Sequence, residues 1–70
     1  MDIRQKTCLI IRKNGEYLVG INHVMHCLNW SVSPYDAWRT RRIDTAKAVA
    51  RVTGGMMCLF NPIVGQLKEV

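Results

Sequence analysis

Residues 41–61, RRIDTAKAVARVTGGMMCLFN, decide the fold that this sequence predicts. Asp44 is a good helix N-cap, and the alanine-rich run after it favours a helix that ends at Thr53. The two glycines that follow end this helix, because glycine readily adopts the left-handed conformation found after a last helical turn. Residues 56–60 are apolar on both faces, which indicates a central buried strand, and Asn61-Pro62 ends it.

The clearest signal upstream is Asn14-Gly15, which separates apolar runs at residues 7–12 and 17–21. Both residues tolerate the positive φ angles of a type I′ turn, so the pair predicts a tight β-hairpin. We expect the helix to cross the sheet close to Gly20. Continued along both strands, the register of the hairpin puts five side chains on one face: Cys8, Ile10, Tyr17, Val19 and Ile21.

Both faces of this hairpin are apolar, because Leu9, Ile11 and Leu18 occupy the opposite face. One short helix covers only one face of a small sheet. The other face must be covered by residues 22–40, by a second copy of the chain or by another partner. We predict that the five side chains form a partner interface, which indicates a protein-interaction module, and a homodimer is the favoured assembly.

The remaining segments complete a small α+β domain. Residues 28–32 alternate in polarity and predict a third strand, while residues 66–70 predict a short strand or a loose tail. Ser33-Pro34, with an acid at Asp36, predicts a short helical turn. The expected fold is one domain over residues 1–70, in which an antiparallel sheet of three to four strands carries the main helix on one face.

Composition narrows the classes of partner. The 70 residues carry a net charge of +5 and a pI of about 9.6, which favours anionic partners such as nucleic acid. Three cysteines without tight spacing argue against a disulfide framework. No signal peptide or apolar run of membrane-spanning length is present, so we expect a cytoplasmic protein with free thiols and no membrane partner.

A set of short structural motifs recurs in a known group of proteins. The motifs are Asn14-Gly15-Glu16-Tyr17-Leu18, Trp30-Ser31, Ala37-Trp38-Arg39, Ala46 with Ala50, and Gly54-Gly55 leading to Phe60-Asn61-Pro62. In this order they resemble small uncharacterised proteins of bacteriophages and Firmicutes-type prophages. The resemblance implies a ββ-α-β fold, an accessory role in a mobile element, the host cytoplasm as location and a host protein as a second possible partner. It implies no catalytic residue.

A basic and aromatic cluster supports an alternative function. Arginine gives bidentate contacts to phosphate, and tryptophan gives a stacking platform for unpaired bases. The opposing interpretation is that the tryptophans are core residues and the arginines a solvated rim. The predicted nucleic-acid-binding residues are Arg39, Arg41, Arg42, Lys47 and Arg51, with Trp38.

A zinc site is a more distant alternative. His23, His26 and Cys27 have the right chemistry for zinc, but no Cys-x-x-Cys knuckle accompanies them. A nucleophile pair of Cys27 with His26 is disfavoured, because neighbours in sequence rarely have facing side chains and no third orienting group is evident. We therefore expect a non-enzymatic protein without a cofactor.

Overall fold

The computed structural model describes residues 7–22, 24–25 and 27–69. Five strands form one sheet in the order β3-β2-β1-β4-β5, and every neighbouring pair is antiparallel. The predicted α+β class, with one helix and an antiparallel sheet, is confirmed, but the sheet has five strands rather than three to four. The elements are β1 (Cys8–Lys13), β2 (Glu16–Asn22), β3 (Cys27–Ser31), a 3₁₀ turn (Pro34–Asp36), α1 (Ile43–Thr53), β4 (Met56–Asn61) and β5 (Gln66–Glu69).

The predicted hairpin is correct at its turn and wrong beyond it. Asn14 and Gly15 have φ angles of 54° and 79°, as a type I′ turn requires, and Arg12 pairs with Tyr17. Further from the turn, residues 38–40 lie between β1 and β2. Leu9 and Thr40 exchange two backbone hydrogen bonds of 2.8 and 3.1 Å.

On its other side, this inserted segment bonds to β2, since the backbone N–H of Trp38 donates to the carbonyl of Leu18 at 2.8 Å. The predicted pairing of Cys8 with Ile21 is therefore replaced by bonds from each strand to residues 38–40. Residues 38–40, which are distant in sequence, therefore take the hydrogen-bonding positions that β1 and β2 were expected to fill for each other.

A β-bulge in β2 changes the direction of its last side chains. Leu18 pairs with Trp30 but Gly20 pairs with Asn29, so Val19 is an extra residue in β2. Ile21 then pairs with Leu28 and lies on the same face of the sheet as Leu18. The prediction that Ile21 shares a face with Cys8 and Ile10 is wrong, because the bulge reverses the alternation.

The helix packs on β1 and β4. It begins at Ile43, and its N-cap is Arg42, which makes no side-chain capping bond, so the predicted N-cap at Asp44 is wrong by two residues. Gly54 has a φ angle of 75° and ends the helix in the left-handed conformation, as the sequence predicts. Ala46 is fully buried, so the helix lies close to the sheet.

The face of the sheet opposite α1 is covered by the chain itself. The Tyr35 ring meets the Phe60 ring edge-on, with 5.2 Å between the ring centres. The Arg39 guanidinium carbon lies 5.8 Å from the same ring centre. Residues 34–39 thus cover the part of the core on this face of the sheet. This part contains Cys8, Ile10, Tyr17, Ala37, Cys58 and Phe60.

Candidate functional site

The predicted partner interface is divided by the fold. Cys8, Ile10 and Tyr17 are buried within the chain, under the segment that carries Tyr35 and Arg39, so no partner can reach them. This part of the prediction is wrong, because residues 22–40 supply the cover that was assigned to a partner. Val19 and Ile21 are exposed to 37% and 59%.

An apolar groove lies between α1 and the β2–β3 end of the sheet. It has a volume of about 200 Å³. Ile21 and Leu28 form its floor as a cross-strand pair, and Val52 stands on its helical wall with 85% of its surface exposed. We call this surface the apolar groove, and it is lined by Leu18, Ile21, Leu28, Ala48, Val49, Val52 and Thr53.

Strand β3, beside the groove, is an edge of the sheet in the described part of the chain. Its residues Cys27–Ser31 include no charged side chain and no proline. By contrast, the other edge strand, β5, carries Lys68 and Glu69. Charges and proline on an edge strand hinder pairing with another chain, so β3 is the less protected of the two edges.

The basic residues predicted to bind nucleic acid are all exposed but do not form one cluster. Arg39 and Arg41 line one cleft of about 320 Å³ together with Cys8, Thr40 and Pro62. Arg42 lies beside Asp44, with 3.8 Å between the charged groups. Lys47 and Arg51 are one helical turn apart on the outer side of α1.

Trp38 does not lie with the arginines. Alternation along the extended segment directs Ala37 and Arg39 towards one face and Trp38 towards the other. Trp38 is also partly buried, and its backbone N–H is bonded to β2. Trp38 is therefore not on the face that carries Arg39, and its role in nucleic-acid binding stays a prediction. Tyr35 is the exposed aromatic residue on the face that carries Arg39.

The predicted zinc ligands lie partly outside the described residues. His23 and His26 are both outside them, and Cys27 is exposed. Within residues 7–22, 24–25 and 27–69, no three His, Cys, Asp or Glu side chains are grouped to hold a metal ion. The zinc site at these three residues stays a prediction.

The three thiols differ in their surroundings. Burial raises the pKa of the Cys8 thiol, while the charges of Arg39 and Arg41 act in the opposite direction. Burial also raises the pKa of Cys58, which is fully buried. Because the thiolate is the reactive form, both groups are expected to be unreactive in the folded protein.

We expect one of the three thiols to react rapidly with a disulfide reagent at pH 8 in the native protein, and all three to react in denaturant. The rapid thiol should be Cys27, which is exposed, while Cys8 and Cys58 combine burial with a raised pKa. Absorbance of the released thiolate measures the count. The Cys27→Ser variant should lose the rapid phase, and a rapid phase that persists in it would contradict the burial of the other two.

Sequence reasoning did not identify the apolar groove. Its floor depends on the bulge at Val19, which turns Ile21 towards α1. Gly20, next to this position, is the one local signal, since glycine inside a strand often accompanies a bulge.

No helix in the described residues is long and apolar enough to cross a membrane. No family model, curated protein or solved structure matches the chain.

Proposed function

We propose that this protein is a non-enzymatic interaction module that self-associates through the apolar groove and the neighbouring edge of β3. The observation that carries the proposal is the position of an apolar groove beside an unprotected edge strand. An edge strand can add a strand from a second chain by main-chain hydrogen bonds, and the side chains of the groove then supply buried apolar area.

The distribution of charge supports a second copy as the partner. Each chain carries a net charge of +5, so two copies repel one another where basic residues face each other. β3 carries no charge, and the described side chains that line the groove are uncharged. The exposed arginines 39, 41 and 42 lie on a different segment. An antiparallel pairing of β3 with its own copy also satisfies the two-fold symmetry of a homodimer.

The resemblance described above supports a phage or prophage origin for the module, and with it a role in the host cytoplasm. A host protein that presents an uncharged strand and an apolar side chain is the competing occupant of the same surface. Two measurements separate these occupants. Self-association of the purified protein depends on the concentration of this chain alone, whereas binding to a host protein requires the addition of a host extract.

We expect the Val52→Asp variant to weaken self-association at least about tenfold, because it places a charge on the wall of the groove where it would be desolvated. The measurement is sedimentation equilibrium over a range of protein concentrations. Val64→Asp is the matched control, since Val64 is 56% exposed, lies between β4 and β5 at the opposite end of the sheet from β3, and does not line the groove.

A wild-type protein that stays monomeric at all concentrations would overturn the proposal. Equal weakening by the two aspartate variants would also contradict it, because the effect would then come from added charge in general. Circular dichroism of both variants confirms that they are folded. Both changes are on exposed side chains, so the fold should tolerate them.

A further inference from the structure

Two arginine side chains, Arg39 within the inserted segment 38–40 and Arg41 directly after it, line one cleft. Thr40 is fixed to β1 by its two backbone hydrogen bonds with Leu9. Arg39 and Arg41 flank Thr40 in sequence, and the chain bends at Arg41. Both line the cleft of about 320 Å³ described above.

Arg39 is held in place by its neighbours. One guanidinium N–H donates to the backbone carbonyl of Tyr35 at 2.9 Å, and the group lies over the Phe60 ring. A guanidinium has five N–H donors, so this bond leaves others for a ligand. The backbone ladder and these contacts preorganise the cleft, which lowers the entropy that binding would cost.

An exposed aromatic ring lies beside this cleft. Tyr35 is 54% exposed, and its ring packs edge-on against the Phe60 ring that Arg39 also covers. The ring centre of Tyr35 and the guanidinium carbon of Arg39 both lie within 6 Å of the centre of Phe60. A platform for stacking and the Arg39 guanidinium therefore share one face.

Acidic groups in the described part of the chain do not neutralise this surface. Among the described residues, no Asp or Glu lines the cleft. Asp36 accepts a hydrogen bond from the Ser31 hydroxyl, and Asp44 lies beside Arg42. Arg41 is exposed, and within the described residues it forms no ion pair. Its charge is available to an anion.

We infer that the cleft of Arg39 and Arg41, together with Tyr35, binds a single-stranded nucleic acid. The two guanidinium groups contact backbone phosphates, and the Tyr35 ring stacks on an unpaired base. Single strands are favoured over duplexes because a base within a duplex is already stacked and cannot lie on an exposed ring. This site is separate from the apolar groove and does not depend on self-association.

The test is fluorescence anisotropy of a labelled thymidine oligonucleotide, titrated with the full chain at several salt concentrations. Arg41→Ala should weaken binding roughly tenfold at low salt, the effect of one lost charge-assisted hydrogen bond. It should also reduce the slope of log affinity against log salt by about 0.7, the contribution of one contact to a single strand. Arg41 is chosen over Arg39 because Arg39 also covers Phe60.

Lys68→Ala is the matched control for Arg41→Ala. It removes the same charge from β5, where Lys68 lines a different cavity with Thr7 and Gln66. The control should keep both the affinity and the salt slope of the wild type. Equal losses in the two variants would overturn the site, because binding would then depend on net charge alone.

Tyr35→Leu tests the stacking contact separately, since leucine keeps an apolar side chain against Phe60. This variant should bind at least about fivefold more weakly, whereas Tyr35→Phe should bind like the wild type. Unchanged affinity of Tyr35→Leu, or equal affinity of the wild type for the duplex form of the oligonucleotide, would overturn the single-strand assignment. So would the absence of binding at low salt.

Discussion

The Phe60→Ala variant should lose about 3–5 kcal/mol of the free energy of unfolding. Phe60 is 1% exposed and lies in the half of the core that residues 34–39 cover. Its ring supports the Tyr35 ring and the Arg39 guanidinium, so its removal leaves a cavity and releases both. A chain of 70 residues has a total stability of only roughly 4–10 kcal/mol, and the loss is a large part of it.

Urea denaturation followed by circular dichroism measures this loss. Leu59→Ala is the matched control, because Leu59 is the neighbouring residue of β4 on the opposite face and is exposed. The control should cost less than about 1.5 kcal/mol, since partly exposed side chains lose less on truncation. A loss of equal size in both variants would show that the cover of residues 34–39 does not depend on Phe60.

The Gly55→Ala variant should lose about 1–3 kcal/mol, and Gly55→Val more. A Cβ atom at Gly55 would lie 2.6 Å from Cγ2 of Ile11 and 3.0 Å from the carbonyl oxygen of Arg12. Ile11 is fully buried and branched at Cβ, so it has little freedom to move. Thermal unfolding monitored by circular dichroism reports the shift.

Gly20→Ala is the control for this substitution. No atom of the described residues lies within 4 Å of the Cβ position at Gly20, and its φ angle is not positive. The change should therefore alter the free energy of unfolding by less than about 0.5 kcal/mol.

The sequence predicted that the helix crosses the sheet at Gly20, and this was wrong. The close approach of backbone to side chain is at Gly55, where the chain leaves α1 for β4.

Features set by neighbouring residues could be read from the sequence. Asn14-Gly15 fixes a turn because two successive positive φ angles suit few other residues. Gly54 ends the helix for a similar reason. Residues Met56–Asn61 form the predicted central strand β4, although Met56 and Leu59 in it are exposed. Ser33 caps the short 3₁₀ turn. Each of these choices depends on backbone preferences within a few residues.

Features set by distant residues could not be read in this way. β1 and β2 separate beyond the turn because Thr40 forms two backbone hydrogen bonds with Leu9. The turn residues alone do not prevent this insertion. Polarity shows that Cys8 and Ile10 need cover, but not which segment supplies it. Residues 34–39 supply it, so Cys8, Ile10 and Tyr17 of the predicted interface became core. The exposed arginines 39 and 41 were predicted as candidates, whereas their shared cleft depends on the inserted segment.

The pairing of β1 with β4 has a consequence for synthesis of the chain. Cys8 donates a hydrogen bond to the carbonyl of Phe60, a residue 52 positions later. While the ribosome is still synthesising α1, β4 does not yet exist, so the backbone N–H and C=O groups of β1 that pair with β4 have no hydrogen-bonding partner. Such non-local contacts form slowly, and bare strands recruit other chains. A polypeptide truncated after Thr53 should therefore aggregate, although it contains both the hairpin turn and the helix.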